Sequence, residues 1–154
     1  MSYTTFFRKH RKGHAHMAFI NWNDKLSVQV PSMDHQHQQL IEMLNRVHAE
    51  MKSGKGQEQM VALLAELINR TREHFSNEEA YMLSIKYPYF AAHKGMHDTL
   101  IRKAIDLQNS FQQREPVALQ TLLTFLNSWL VNHIEQEDKR YGQHSVQAKV
   151  AANQ

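Results

Sequence analysis

Eleven histidines and no cysteine among 154 residues leave imidazole and carboxylate as the side chains with which this chain could hold a transition metal. The missing thiol also excludes disulfides, cysteine nucleophiles and iron–sulfur ligation. Spacing narrows the histidines that matter. His74 precedes Glu78 by four residues and His93 precedes His97 by four, so on a helix the members of each pair lie within about 40° and could grip one ion. His133 has acids behind it at Glu135, Glu137 and Asp138. On an ideal α-helix Glu137 is its natural companion, because Asp138, five residues on, falls about 140° round the axis. A single histidine on an apolar face is more often a hydrogen-bonded core residue than a ligand, and His37, His74, His93, His97 and His133 each deserve that reading alone. Five together do not.

The elements that must position them follow from periodicity. With 42% apolar and 21% charged residues, the length suits one compact domain with its own core. Residues 1–17 are polar, basic and aperiodic, with Arg8-Lys9-His10-Arg11-Lys12, His14 and His16, and are expected to form a flexible leader. Met17, directly ahead of organised sequence, is a candidate alternative start. Phe19-Ile20-Asn21-Trp22 and Leu26-Ser27-Val28-Gln29-Val30 alternate apolar and polar side chains, but Pro31 closes the segment and no partner strand follows. An extended arm packed on a helical body is expected there. Asp34 is a plausible N-cap for a first helix over about 34–52, with Leu40, Ile41, Leu44, Val47 and Met51 on its stripe. Ser53-Gly54-Lys55-Gly56 breaks it, and Met60, Leu63, Leu64, Leu67, Ile68, Thr71, His74 and Glu78 trace a second helix over about 57–84. Pro88 suits the first turn of a third, about 88–112, with His93, His97, Leu100, Ile101, Ala104 and Phe111 inward. Pro116 opens a fourth, about 116–140, striped by Leu119, Leu122, Leu123, Leu126, Trp129, Leu130, His133 and Ile134. This is the pattern of an all-α, antiparallel up-down-up-down four-helix bundle over 18–141 with an extended N-terminal arm, and residues 142–154 are expected to be a polar, frayed tail.

In such a bundle the early parts of the first and third helices lie beside the late parts of the second and fourth. His37 and His93 are early, His74 and His133 late, so all five rings can meet at one level of the core. Burying that many imidazoles without partners would cost several kcal/mol, and a bound metal removes the objection. Other classes of function find little support. The net charge of +3 is modest and much of the basic excess sits in the leader, so nucleic-acid binding is not expected. No apolar run approaches the roughly 18–20 residues of a membrane span, and a cytoplasmic location is expected.

Four strings carry a resemblance: Asp34-His35-Gln36-His37, His74-Phe75-Ser76-Asn77-Glu78-Glu79, Tyr87-Pro88-Tyr89-Phe90-Ala91-Ala92-His93-Lys94-Gly95-Met96-His97 and Trp129-Leu130-Val131-Asn132-His133-Ile134-Glu135-Gln136-Glu137-Asp138. Over about residues 18–141 the chain resembles the hemerythrin family in its bacterial single-domain form, with its pattern of one His, then His-x3-Glu, His-x3-His and His-x4-Asp. The resemblance implies two iron ions with a bridging oxo or hydroxo group. His93, His97 and His133 would hold one iron and His37 and His74 the other, with Glu78 and Asp138 bridging and an open position on the second. It also selects Asp138 where spacing does not, and His37 over His35, which lies off the leucine stripe; His48 and His144 are expected to be solvated. Trp129, Leu130 and Ile134 would line the oxygen pocket while also serving as ordinary helix core. Two ferrous ions, two carboxylates and a bridging hydroxide leave a single net positive charge, tolerable in a dry core. The implied activity is reversible dioxygen binding, as a carrier, store or delivery protein and not an enzyme. An oxygen-consuming enzyme is the expected recipient, and the chain is expected to be a monomer. The alternatives are a di-iron enzyme acting on peroxide, nitric oxide or ferrous iron, and a metal-buffering module.

Overall fold

The computed structural model describes residues 18–116 and 118–153; the leader and Met17 lie outside the described residues. Among these the structure is all-helical: a short 3-10 turn Asp24–Leu26, then α1 (Pro31–Lys52), α2 (Gln57–Ser84), α3 (Phe90–Gln112), α4 (Ala118–His133), a π-helical turn Ile134–Asp138 and α5 (Lys139–Ala152). The four long rods pack α1 on α2, α2 on α3, α3 on α4 and α4 back on α1, which closes an antiparallel four-helix bundle. Its lower half is held by the leucine stripes. Leu44 and Val47 from α1, Leu64 and Leu67 from α2, Leu100 and Ala104 from α3, and Leu122, Leu123 and Leu126 from α4 are all buried. Met51, Ile101, Phe111 and Leu119 sit at the margin of that stripe and are only partly buried.

The arm buries alternate side chains as its pattern implies, with Leu26, Val28 and Val30 buried and Gln29 between them exposed, but its extended course is broken by the 3-10 turn and by Gln29, whose φ is 60°. Two reciprocal hydrogen bonds pin it to α1, from the Ile20 N–H to Asn45 Oδ1 and from Asn45 Nδ2 to the Ile20 carbonyl, both at 2.8 Å.

Several boundaries move from their expected places. Asp34 is not the N-cap. The first helix starts three residues earlier, with Val30 as its cap and Pro31 just inside, where a missing N–H costs nothing. Asp34, one turn in, instead accepts from the Val28 N–H and the Ser27 hydroxyl, each at 2.7 Å, so its carboxylate ties the arm to the helix start. Pro88 and Pro116 both lie in turns ahead of their helices, which begin at Phe90 and Ala118.

The largest difference is at the C-terminus. The segment expected to fray continues as helix to Ala152, because one face of α5 has something to pack on: Tyr141, Gly142 and Ser145 are buried, and the Tyr81 and Ser145 hydroxyls are hydrogen-bonded. His144 is not simply solvated either, since its Nε2 donates to the Ile85 carbonyl at 3.0 Å, and His48 stacks on Phe19. Gly142 is where α5 crosses the arm, and a Cβ there would overlap the Val28 carbonyl oxygen. Backbone resists such displacement more than a side chain does. Gly142→Ala is therefore expected to destabilise the fold by about 1–3 kcal/mol, read as a lowered midpoint in denaturant unfolding followed by circular dichroism.

Candidate metal centre

At the end of the bundle where α2 and α4 finish and α1 and α3 begin, the leucine stripes give way to histidine. His37 comes from α1, His74 and Glu78 from α2, His93 and His97 from α3, His133 from the end of α4 and Asp138 from the close of the π turn; none is more than 6% exposed. The Nε2 atoms of His93, His97 and His133 form a triangle with edges of 3.1, 3.1 and 3.2 Å. Neighbouring donors around one cation at about 2 Å from each are spaced in this way.

The two carboxylates lie between this triangle and the other two rings. Glu78 turns Oε2 toward His97 and His93, at 3.0 and 3.4 Å, and Oε1 toward His37 and His74, both at 3.8 Å. Asp138 does likewise, with Oδ1 at 3.0 Å from His133 and 3.2 Å from His93, and Oδ2 at 3.2 Å from His37. Each acid therefore offers one oxygen to either side. The three-histidine side collects three nitrogens and two oxygens, the two-histidine side two nitrogens and Glu78 Oε1, with Asp138 Oδ2 close to His37 alone.

Protein hydrogen bonds do not account for these atoms. His37 Nδ1 and Nε2, Glu78 Oε2 and Asp138 Oδ1 are buried without a hydrogen-bond partner, and the three converging Nε2 atoms cannot all donate to one another. Buried polar atoms left unpaired are costly, and cations between the rings and the acids would satisfy nearly all of them. The donor set, nitrogen-rich with two hard carboxylates and no sulfur, suits iron or zinc better than magnesium or calcium.

The whole-chain comparisons point the same way. The Hemerythrin HHE cation binding domain matches residues 29–144. The chain belongs to the hemerythrin family. It is 34% identical to a bacteriohemerythrin of Stenotrophomonas maltophilia over 138 residues, covering 90% of this chain and 87% of that protein. It is 36% identical to one of Methylococcus capsulatus over 127 residues, covering 82% and 96%. A wild-type hemerythrin crystal structure superposes with a TM-score of 0.74 at 34% identity, covering 82% of this chain and 97% of that one.

Within this hemerythrin fold, the π turn settles the choice that spacing leaves open at His133. The Lys139 N–H reaches back five residues to the Ile134 carbonyl, so the chain advances more slowly round the axis and a residue five positions on returns to the same face. Asp138 thereby points inward beside His133. Glu137, the α-helical candidate, points out and pairs with Arg140 at 3.2 Å. His35 is exposed, and Gln39 donates to it at 3.2 Å.

A layer of residues behind the cluster is invisible to histidine spacing. His74 Nδ1 lies 3.0 Å from Gln36 Oε1, and His97 Nδ1 lies 3.1 Å from Glu79 Oε1. Both acceptors are oxygens, so each Nδ1 carries the hydrogen and each Nε2 lone pair faces the centre. Fully buried Tyr141 donates to Glu78 Oε1 at 2.6 Å; burial holds its phenol well above the ordinary range, which keeps it a donor. The only cue for it in the sequence is its place three residues after Asp138.

Below the cluster is an apolar cavity of about 20 Å³, lined by Leu40, Leu44, Leu67, Thr71, Leu100, Leu126, Trp129 and Leu130, room for about one small molecule. Leu40, Thr71, Leu100 and Trp129 each lie one helical turn from His37, His74, His97 and His133, so the cavity abuts the cluster on all four helices. Its one hydroxyl, on Thr71, is turned away to the Leu67 carbonyl at 2.8 Å. Trp129 also stacks on His133, with ring centroids 4.1 Å apart. Ile134 is fully buried but does not line this cavity: it lies one helical turn beyond Leu130, beside His133.

The electrostatics express a demand for positive charge. Burial opposes ionisation of Glu78 and Asp138, yet the surrounding imidazoles hold both carboxyls below the ordinary range. Burial lowers His93, but the Asp138 and Glu78 carboxylates, which accept from the protonated ring and attract its charge, override this and raise it from 6.5 to about 9. His74 is lowered to about 4 by burial and stays neutral. With no metal bound, a proton on His93 thus stands in for the cation, and this stabilises the fold below the unfolded-state value of 6.5 and is lost as pH rises through about 9. The chelator-treated protein is expected to melt at a progressively lower temperature from pH 6.5 to 9, while the metal-loaded protein does not; parallel calorimetric melts across that window would check it.

Proposed function

We propose that this hemerythrin-family chain binds dioxygen reversibly at a di-iron centre and serves as an oxygen carrier, store or delivery protein. In this reading His93, His97 and His133 hold one iron, His37 and His74 the other, and Glu78 and Asp138 bridge them. Two ferrous ions held there supply the two electrons that reversible dioxygen binding requires. The observation that carries the reading is the inequality of the two halves, since the two-histidine side has fewer protein donors than the three-histidine side, with an apolar cavity one helical turn below the cluster.

The protein's own groups support carriage over turnover. Leu40, Leu100, Trp129 and Leu130 keep the neighbouring space free of titratable groups, which admits apolar dioxygen and excludes the water and acids that would release it as peroxide. Gln36 and Glu79 lock the ring orientations, so little has to move when oxygen arrives or leaves. Tyr141 stays hydrogen-bonded to Glu78 and so holds that carboxylate in place. The chain acts in this reading as a cytoplasmic monomer, not as a catalyst, and an oxygen-consuming enzyme is its recipient.

Anaerobic reduction followed by repeated cycles of air and nitrogen tests it. Charge-transfer absorption that appears in air and disappears under nitrogen over many cycles is expected; bleaching in the first cycle with no return of oxygen would favour a di-iron enzyme. His74→Ala is expected to lose iron from the two-histidine side selectively, and Glu78→Ala to weaken retention on both sides. Elemental analysis giving full iron in both variants would refute the ligand roles.

A further inference from the structure

The two histidine sets differ in the charge that stands behind them. We propose that Glu79, acting through His97, makes the three-histidine position the more electron-donating half of the centre, and that Lys94 sets how strongly it does so; this rests on iron occupying the cluster as proposed above. Glu79 is a positioning and tuning residue, since it meets the cluster only through the imidazole.

The contrast is internal to the molecule. Gln36 holds His74 with a neutral amide oxygen at 3.0 Å, itself steadied by the Asn77 amide at 3.4 Å. Glu79 holds His97 with a carboxylate oxygen at 3.1 Å. Position 36 demonstrates that an amide is enough to fix the tautomer and the ring plane. Whatever the carboxylate at position 79 adds is therefore electronic: an anion accepting the Nδ1 hydrogen draws it outward and leaves more electron density on Nε2. A more basic Nε2 favours ferric over ferrous iron at that position. The stacking of Phe75 on His97, with ring centroids 3.7 Å apart, holds the ring on its Glu79 side.

Lys94 opposes this. Its ammonium lies 3.6 Å from Glu79 Oε2 and is shared with Asp98 at 3.0 Å. Glu79, Lys94, Asp98 and His97 all line one open groove between α2 and α3, so this charge group lies at the solvent boundary of an otherwise buried centre. The surface charge at Lys94 is consequently coupled, through Glu79 and His97, to the redox balance inside.

The experiment uses the full chain loaded with iron for spectroelectrochemical titration, and loaded with zinc for proton NMR of the histidine ring hydrogens. Glu79→Gln preserves the acceptor and removes its charge. It is expected to shift the ferric-to-ferrous ratio at fixed potential about tenfold toward ferrous, which is about 59 mV upward for a one-electron couple, and to move the His97 Nδ1–H resonance upfield. Lys94→Gln, a half-exposed position with no part in folding the core, is expected to shift the ratio the opposite way. Gln36→Glu is expected to favour ferric iron on the other side.

A Glu79→Gln protein whose ratio stays within about threefold of the parent, or a Lys94→Gln shift in the same direction as Glu79→Gln, overturns the proposal. Loss of zinc from Glu79→Gln as complete as from His97→Ala overturns it too, because the role would then be structural. Oxygen cycling of the parent protein keeps the two readings apart: if oxygen is not returned, carriage fails while the potentials and resonances still decide the role of Glu79.

Discussion

Glu78 and Asp138 bring two carboxylates almost completely out of water and set them on either side of the same few ångströms of core. Like charges so placed repel strongly in a medium of low polarisability, and each has also lost its hydration. The surrounding architecture answers that charge. Five imidazole rings turn toward the acids, four of them approaching a carboxylate oxygen within 3.4 Å, and a buried phenol donates to one. Because each acid directs one oxygen to either side, a single pair of side chains ties two groups of rings into one centre.

The bundle makes this possible by dividing its length. One half is leucine-rich and dry and provides the stability that a polar cluster cannot. The other half is closed by the arm and by α5, where Val28 meets Gly142 and Tyr141 reaches Glu78. The small cavity lies at the boundary of the two halves, where the histidine turns end and the leucine turns start. Its apolar walls and its contact with the cluster have one cause, namely that each of the four rods changes character at the same level.

Membership of the hemerythrin family rests on the match over residues 29–144 and on the superposition with hemerythrin structures. The residues behind the cluster add a difference between its two sides. An amide supports one histidine set and a carboxylate, itself held by a lysine, supports the other. No helix among the described residues is long and apolar enough to cross a membrane.

Local periodicity is written within each helix, so the amphipathic stripes, their approximate limits and the five inward histidines are legible in the sequence. So are the pairs four residues apart, since the α-helix itself brings them together. What depends on the phase between rods, or on winding that departs from the α-helix, is not. By counting, Glu137 is the partner of His133; the π turn alone makes it Asp138. The polar composition of 142–154 implies fraying, yet a narrow face formed by Tyr141, Gly142 and Ser145 finds the arm and α2 and stays helical. Gln36 and Glu79 sit next to cluster residues in the chain but on a different face. Their contacts with His74 and His97 cross from one helix to another, and no spacing within a single helix can encode a distance between two.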